Sequence, residues 1–187
     1  MGVIPQKTVL DNGLTLYANH KPFGIAAVYF CVRVGSFDDL IPETAHVNEH
    51  VLGSAAGVYG KKGELNYIVG NGAETAPQTT LFFLEGLFPN DIEIAVKRLC
   101  EIFRPPCLEF LVHAKNDIRE EISPETRPSL AFSERVLKLL FPKFWERVPS
   151  EKTSLGSLEF ITSDVIEAHW DQYYDPYNAY VYLSGNI

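Results

Sequence analysis

The sequence predicts an α+β fold, with helices packed on a largely antiparallel sheet. Three observations carry this: β-prone runs with a tight-turn signal come first, helical periodicity fills the middle, and one β-prone run returns last. At 187 residues the chain suits one domain with a substantial core, read as spanning 1–187.

Residues 8–17 read as a β-hairpin, because Asn12-Gly13 is a strong tight-turn signal between two β-prone runs. Residues 26–34 (AAVYFCVRV) form a third strand, rich in β-branched and aromatic side chains. Pro42 and Thr44 then open a helix, with Thr44 as its candidate cap and Gly53 and Gly57 bracketing its end. Residues 57–72 are Gly-rich and show no assignable pattern. Residues 79–88 read as another strand. Asn90 or Asp91 can cap a helix running to about Phe103, with Ile92, Ala95, Val96, Leu99 and Phe103 on one face, and Arg104-Pro105-Pro106 stops it. Residues 107–122 carry a second helical pattern, ended by Ser123-Pro124. Helices near 129–141 and 163–174 follow, and residues 178–183 form the last strand. There is no internal repeat, low-complexity segment or linker.

Composition narrows the function classes. Hydrophobic residues make up 46% and charged residues 21%, ordinary for a soluble globular protein. A net charge of −8 disfavours nucleic acid as a partner, since phosphates demand basic patches. No dense Lys/Arg run suits an anionic membrane, and no apolar stretch is long enough to span one. The first seven residues lack the apolar core of a signal peptide. Cys31, Cys100 and Cys107 are odd in number and at no metal-binding spacing, so they read as buried thiols in a reducing, cytoplasmic setting.

The chemistry concentrates in the helix after Pro42. His46, Glu49 and His50 make a His-x-x-Glu-His pentad. Residues four apart lie one turn apart on one helix face, so two imidazoles can meet one metal ion while Glu49 borders the same face. That is the donor set of a hydrolytic zinc site, with a carboxylate to take a proton from water. The ordinary alternative is an amphipathic helix with two half-exposed histidines and a solvated Glu.

A catalytic zinc needs a third protein ligand. Leu111, Ala114 and Ile118 form an apolar stripe, and Glu121 falls on it, three residues after Ile118. Glu120 lines up instead with the polar face of Glu109, His113 and Asn116. An inward carboxylate is costly unless paired or metal-bound, which makes Glu121 the better candidate. The competing reading is a helix-end Glu whose tip reaches solvent. His20, His113 and His169 are the other candidates: His20 and His169 read as surface or core-edge histidines, and His113 belongs to the polar face.

Together these motifs resemble the pitrilysin family, the inverzincin group that includes insulin-degrading enzyme and the mitochondrial processing peptidases. The resemblance covers nearly the whole chain. It rests on Leu10-Asp11-Asn12-Gly13-Leu14, Val32-Arg33-Val34-Gly35-Ser36, the pentad, Gly72-Ala73-Glu74-Thr75 with Thr80, Asp117-Ile118-Arg119-Glu120-Glu121-Ile122, Leu155-Gly156-Ser157-Leu158-Glu159-Phe160-Ile161, Tyr173-Tyr174-Asp175-Pro176-Tyr177-Asn178 and Gly185-Asn186. It implies a pitrilysin-like half, with Zn2+ held by His46, His50 and Glu121 and with Glu49 as general base. It also implies that the strand of Gly72, Ala73 and Glu74 binds an extended peptide by strand addition. The expected function is a zinc-dependent peptidase acting on extended peptides or small unfolded proteins. The alternative is a zinc-binding subunit or fragment that is inactive without a second homologous half, and a third reading is an interaction module with an incidental pentad.

The sequence departs from the family in four respects. The spacer from His50 to Glu121 is short, Ala114 stands where an acidic residue is usual, and Gly72 replaces the usual Asn with Asn71 adjacent. Family enzymes also combine two or more such halves, so a homodimer or a heterodimer with a second half is expected.

Overall fold

The computed structural model describes residues 4–22, 24–59, 70–123, 136 and 138–187. A six-stranded sheet runs in the order β1-β2-β6-β3-β5-β4, from β1 (Gln6–Val9), β2 (Thr15–His20), β3 (Ala26–Val32), β4 (Gly70–Thr75), β5 (Thr80–Leu87) and β6 (Ala179–Gly185). All pairings are antiparallel except β2 with β6. The α+β expectation holds, with a parallel join where the last strand enters beside the second.

The hairpin forms around Asn12 and Gly13, though as a longer turn than the dipeptide suggested. Val9 pairs with Thr15, and Asn12 Oδ1 accepts from the Leu14 amide at 3.2 Å. β3 and β5 are central, and their alternate residues Val28, Phe30, Val32, Phe82 and Leu84 are sealed from solvent on the inner face. Among the described residues β4 is an edge strand, pairing only with β5.

Helices lie on that side of the sheet. They are α1 (Thr44–Ala55), α2 (Ile92–Leu99), α3 (Leu111–Ile122), α4 (Pro142–Trp145), α5 (Glu151–Ser157) and α6 (Ser163–Tyr173), with α1 and α2 directly against the sheet. α2 presents Ala95 and Leu99 to the sheet and tightens into a 3-10 turn, Cys100–Phe103, before the prolines. α3 is likewise preceded by a 3-10 turn, Leu108–Phe110, so its α-helical part is shorter than the pattern over 107–122. α5 interrupts a stretch expected to be turns; Ser150 caps it by accepting from the Thr153 amide at 3.2 Å. Most of the helix expected near 129–141 lies outside the described residues, although 138–140 are helical.

Two apolar cores result. The larger joins the sheet to α2, to Leu52 of α1 and to Ala56 just past its end. The smaller joins Val47 and Val51 of α1 to Leu111, Ala114 and Ile118 of α3 and to Leu158, Ile161 and Ile166. α1 is therefore wedged between them, with its angular orientation fixed from two sides.

The start of α1 differs from expectation. Thr44 is not its cap; its hydroxyl donates back to the Ile41 carbonyl at 2.6 Å. Glu43 occupies the cap position in a left-handed conformation, φ 72°. The helix amides are served from outside, by Asp39 Oδ1 accepting from Ala45 at 2.9 Å. A carboxylate there also meets the positive end of the helix dipole.

Candidate metal centre

On α1, His46, Glu49 and His50 occupy one stripe, as their spacing requires. One ligand atom from each lies within 4.8 Å of the others, and the two imidazole rings are 5.0 Å apart. Opposite them, Ile118 is locked in the smaller core, which fixes the rotation of α3. Three residues on, Glu121 reaches the histidines: Oε2 lies 3.4 Å from His46 Nε2 and Oε1 lies 3.5 Å from His50 Nε2. Glu120 is exposed and does not line the cavity.

The other histidine candidates lie elsewhere or at the rim. His20 ends β2 on the surface. His169 is buried on α6, where its Nδ1 meets the Asn48 amide at 2.9 Å. His113 lines the cavity but is largely exposed, its Nδ1 3.4 Å from Asp117 Oδ1.

The cavity over this stripe has a volume of about 610 Å³. Its far wall is the edge strand β4, through Ala73, Glu74 and Thr75. Of the three residues expected to bind peptide, Ala73 and Glu74 line the cavity. Gly72 lies in the same strand, where a Cβ would sit 3.0 Å from the Phe83 ring.

Electrostatics single out the same groups. Burial pushes the Glu49 carboxyl up to about 7, against the opposing pull of His46 and of a hydrogen bond from Thr75. Burial would lower the His46 pKa, but hydrogen bonds to Glu121 and Glu43 override it and carry it up to about 9. His50 is lowered, by burial first and then by the neighbouring His46. Carboxylates thus face both imidazoles, and their pull favours positive charge at His46.

Three residues that complete this arrangement were given no role in the sequence reading, although Thr75 and Asp117 stand in motifs quoted there. Glu43 Oε2 sits 3.0 Å from His46 Nδ1, while its Oε1 accepts from Ser154 Oγ at 2.7 Å. With Nδ1 held by Glu43, Nε2 is the nitrogen turned toward Glu121, and it would become a metal ligand on losing its proton. Thr75 donates to Glu49 Oε2 at 3.1 Å. Asp117, one turn before Glu121, lies beside both His50 and His113, so an acidic group is present near the ligands although Ala114 is not one. The i,i+3 spacing of Glu43 and His46 was the one available signal; Thr75 needs the strand pairing to be known.

These donors suit zinc: two imidazole nitrogens and a carboxylate converge from two rigid helices, with a further carboxylate alongside. No protein-family model and no curated protein sequence matches the chain. Solved structures do. An M16-like peptidase from Alicyclobacillus acidocaldarius superposes with a TM-score of 0.76 at 19% identity, over 98% of this chain and 46% of its own. A protease from Helicobacter pylori gives 0.74 at 17%, covering 98% and 46%. Pitrilysin gives 0.74 at 19%, covering 98% of this chain and 21% of its own. The fold is that of a pitrilysin-like half-domain. This half-domain spans less than half the length of those chains. Among the described residues, no helix is long and apolar enough to cross a membrane.

Proposed function

We propose that this pitrilysin-like half-domain is the metal-bearing part of a zinc-dependent peptidase acting on extended peptides or small unfolded proteins. The observation that carries the reading is the convergence of His46 Nε2 and His50 Nε2 on the two oxygens of Glu121. His46, His50 and Glu121 would hold the zinc. When bound there, zinc supplies Lewis acidity, polarising the scissile carbonyl and making water a better nucleophile.

The protein's own groups do the rest. Glu49, with a carboxyl near pH 7 in its proton affinity, suits accepting the proton of the attacking water and returning it to the leaving amine. The Thr75 hydroxyl holds Oε2 of that carboxylate and so aims the other oxygen. Glu43 holds the His46 ring in one tautomer and orientation. β4, at the edge of the sheet among the described residues, would offer main-chain hydrogen bonds to an extended peptide, with Gly72, Ala73 and Glu74 as the contact segment. The cysteines are free thiols, buried at Cys31 as expected but half-buried at Cys107 and exposed at Cys100, and a cytoplasmic setting stays part of this proposal.

A second reading is favoured by length. The matched chains are more than twice as long, so this half-domain would be a zinc-binding subunit or fragment needing a second homologous half, as a homodimer or a heterodimer. One experiment separates the readings: metal analysis of the purified chain, together with cleavage of an unstructured peptide, with and without a chelator. Bound zinc and chelator-sensitive cleavage support the peptidase. Bound zinc without cleavage supports the subunit. A metal-loaded protein in which Glu120 replaces Glu121 as ligand would overturn the assignment.

A further inference from the structure

We propose that Tyr59 is a positioning residue for His50, seated by Gly53, an inference that rests on the metal reading above. The two histidines are held differently. His46 has its outer nitrogen fixed by Glu43 at 3.0 Å. The outer nitrogen of His50 is held more loosely, 3.8 Å from Asp117 Oδ2, whose charge still acts on it. Against the His50 ring itself lies Tyr59, with centroids 5.4 Å apart and planes inclined by 31°. That is a tilted ring pair at a favourable centroid distance.

The local chain builds this contact. α1 ends in a Schellman closure: the Val58 amide donates to the Gly53 carbonyl at 2.7 Å and the Gly57 amide to the Ser54 carbonyl at 3.0 Å. Gly57 takes the left-handed conformation this needs, φ 68°. The turn drops Val58 into the larger core, where it is sealed from solvent. Asn71 in β4 donates to the Val58 carbonyl and ties the turn to the sheet edge. With Val58 pinned on both sides, Tyr59 folds back along the last turn of α1. It lies over Gly53, the next residue along the stripe of His46, Glu49 and His50.

Gly53 is what leaves room. A Cβ there would sit 2.4 Å from Tyr59 Cε2 and 2.8 Å from Cζ. The obstructing atoms belong to a movable side chain, so an alanine would displace the ring and not the helix. Tyr59 is 40% exposed and lines the metal cavity. Its ring is therefore not needed to fill either core.

The test is a double-mutant cycle read by metal binding. Zinc affinity would be measured by competition, and the visible spectrum of bound Co2+ recorded, for the parent chain, Y59A, Y59F, G53A and G53A/Y59A. Y59A should weaken zinc binding roughly two- to tenfold, the range of one aromatic contact, and alter the Co2+ spectrum. Y59F should restore both, because the ring does the positioning. G53A should match Y59A, and the double variant should be no weaker than Y59A alone. A parent that binds zinc while Y59A binds it equally well, or independent losses from G53A and Y59A that add in the double variant, overturns this inference alone. A parent that binds neither ion overturns the metal reading as well.

Discussion

Glu49 and His169 are both buried and titratable, yet they invite opposite experiments. Glu49 faces the cavity, and Glu49→Gln keeps the shape of the side chain while removing its basicity. Metal content should be unchanged, and peptide hydrolysis by the active assembly should fall at least about a hundredfold. Cleavage at the parental rate would show that another group takes the proton. His169 faces inward. Asn48 donates to its Nδ1, and Asp39 lies 3.8 Å from its Nε2. Burial lowers its pKa to about 4. Between that value and the ordinary 6.5 the unfolded chain binds a proton that the folded chain refuses, so stability from this residue is intact above about pH 6.5 and lost as pH falls toward 4. Burial moves Asp39 the other way, up to about 7, which tends to offset the effect in the parent. Comparison with His169→Gln isolates it: the parent's stability relative to the variant should drop by about 2 kcal/mol between pH 7 and pH 5 in urea titrations. A pH-independent difference would mean that His169 does not stay neutral.

At the level of elements, periodicity was a good guide wherever burial decided the conformation. Leu111, Ala114 and Ile118 are all buried as the stripe required, and that stripe was enough to prefer Glu121 over Glu120. Ile118→Ala should cost about 2–5 kcal/mol by opening a cavity in the smaller core, measurable by denaturation. Metal affinity should fall with it, because Ile118 sets the rotation that aims Glu121; unchanged affinity would show that α3 is held by other contacts. What the sequence concealed were interactions made across the chain. The cap of α1 comes from Asp39, which no local pattern at Thr44 could announce. Thr75 meets Glu49 only because β4 lies beside α1. α5 was hidden because Gly156 and the adjacent serines are poor helix formers, and its helicity depends on the Ser150 cap and on packing against α3. The hairpin, in contrast, depends on neighbours in sequence and was legible from Asn12-Gly13.

For the whole molecule, the candidate ligands sit on two helices joined by a core of their own, so a bound ion would cross-link α1 and α3. Zinc at a hundred times its Kd should raise the unfolding free energy by about 2.7 kcal/mol, and a chelator should remove the gain. Identical melting curves with zinc and with chelator would rule out a site at these residues. Sedimentation at micromolar concentration, paired with an activity titration, tests association: self-assembly predicts specific activity that rises with concentration. The sheet order has its own implication for how the protein is made. β6 lies between β2 and β3, yet it is synthesised about 150 residues after them. At typical translation rates the nascent chain spends roughly 10–30 s with two unsatisfied strand edges flanking the place β6 will fill. The central pairing of the sheet cannot close until Ala179–Gly185 has cleared the ribosome, and during that interval the chain is at its most exposed to strand-to-strand association with other chains.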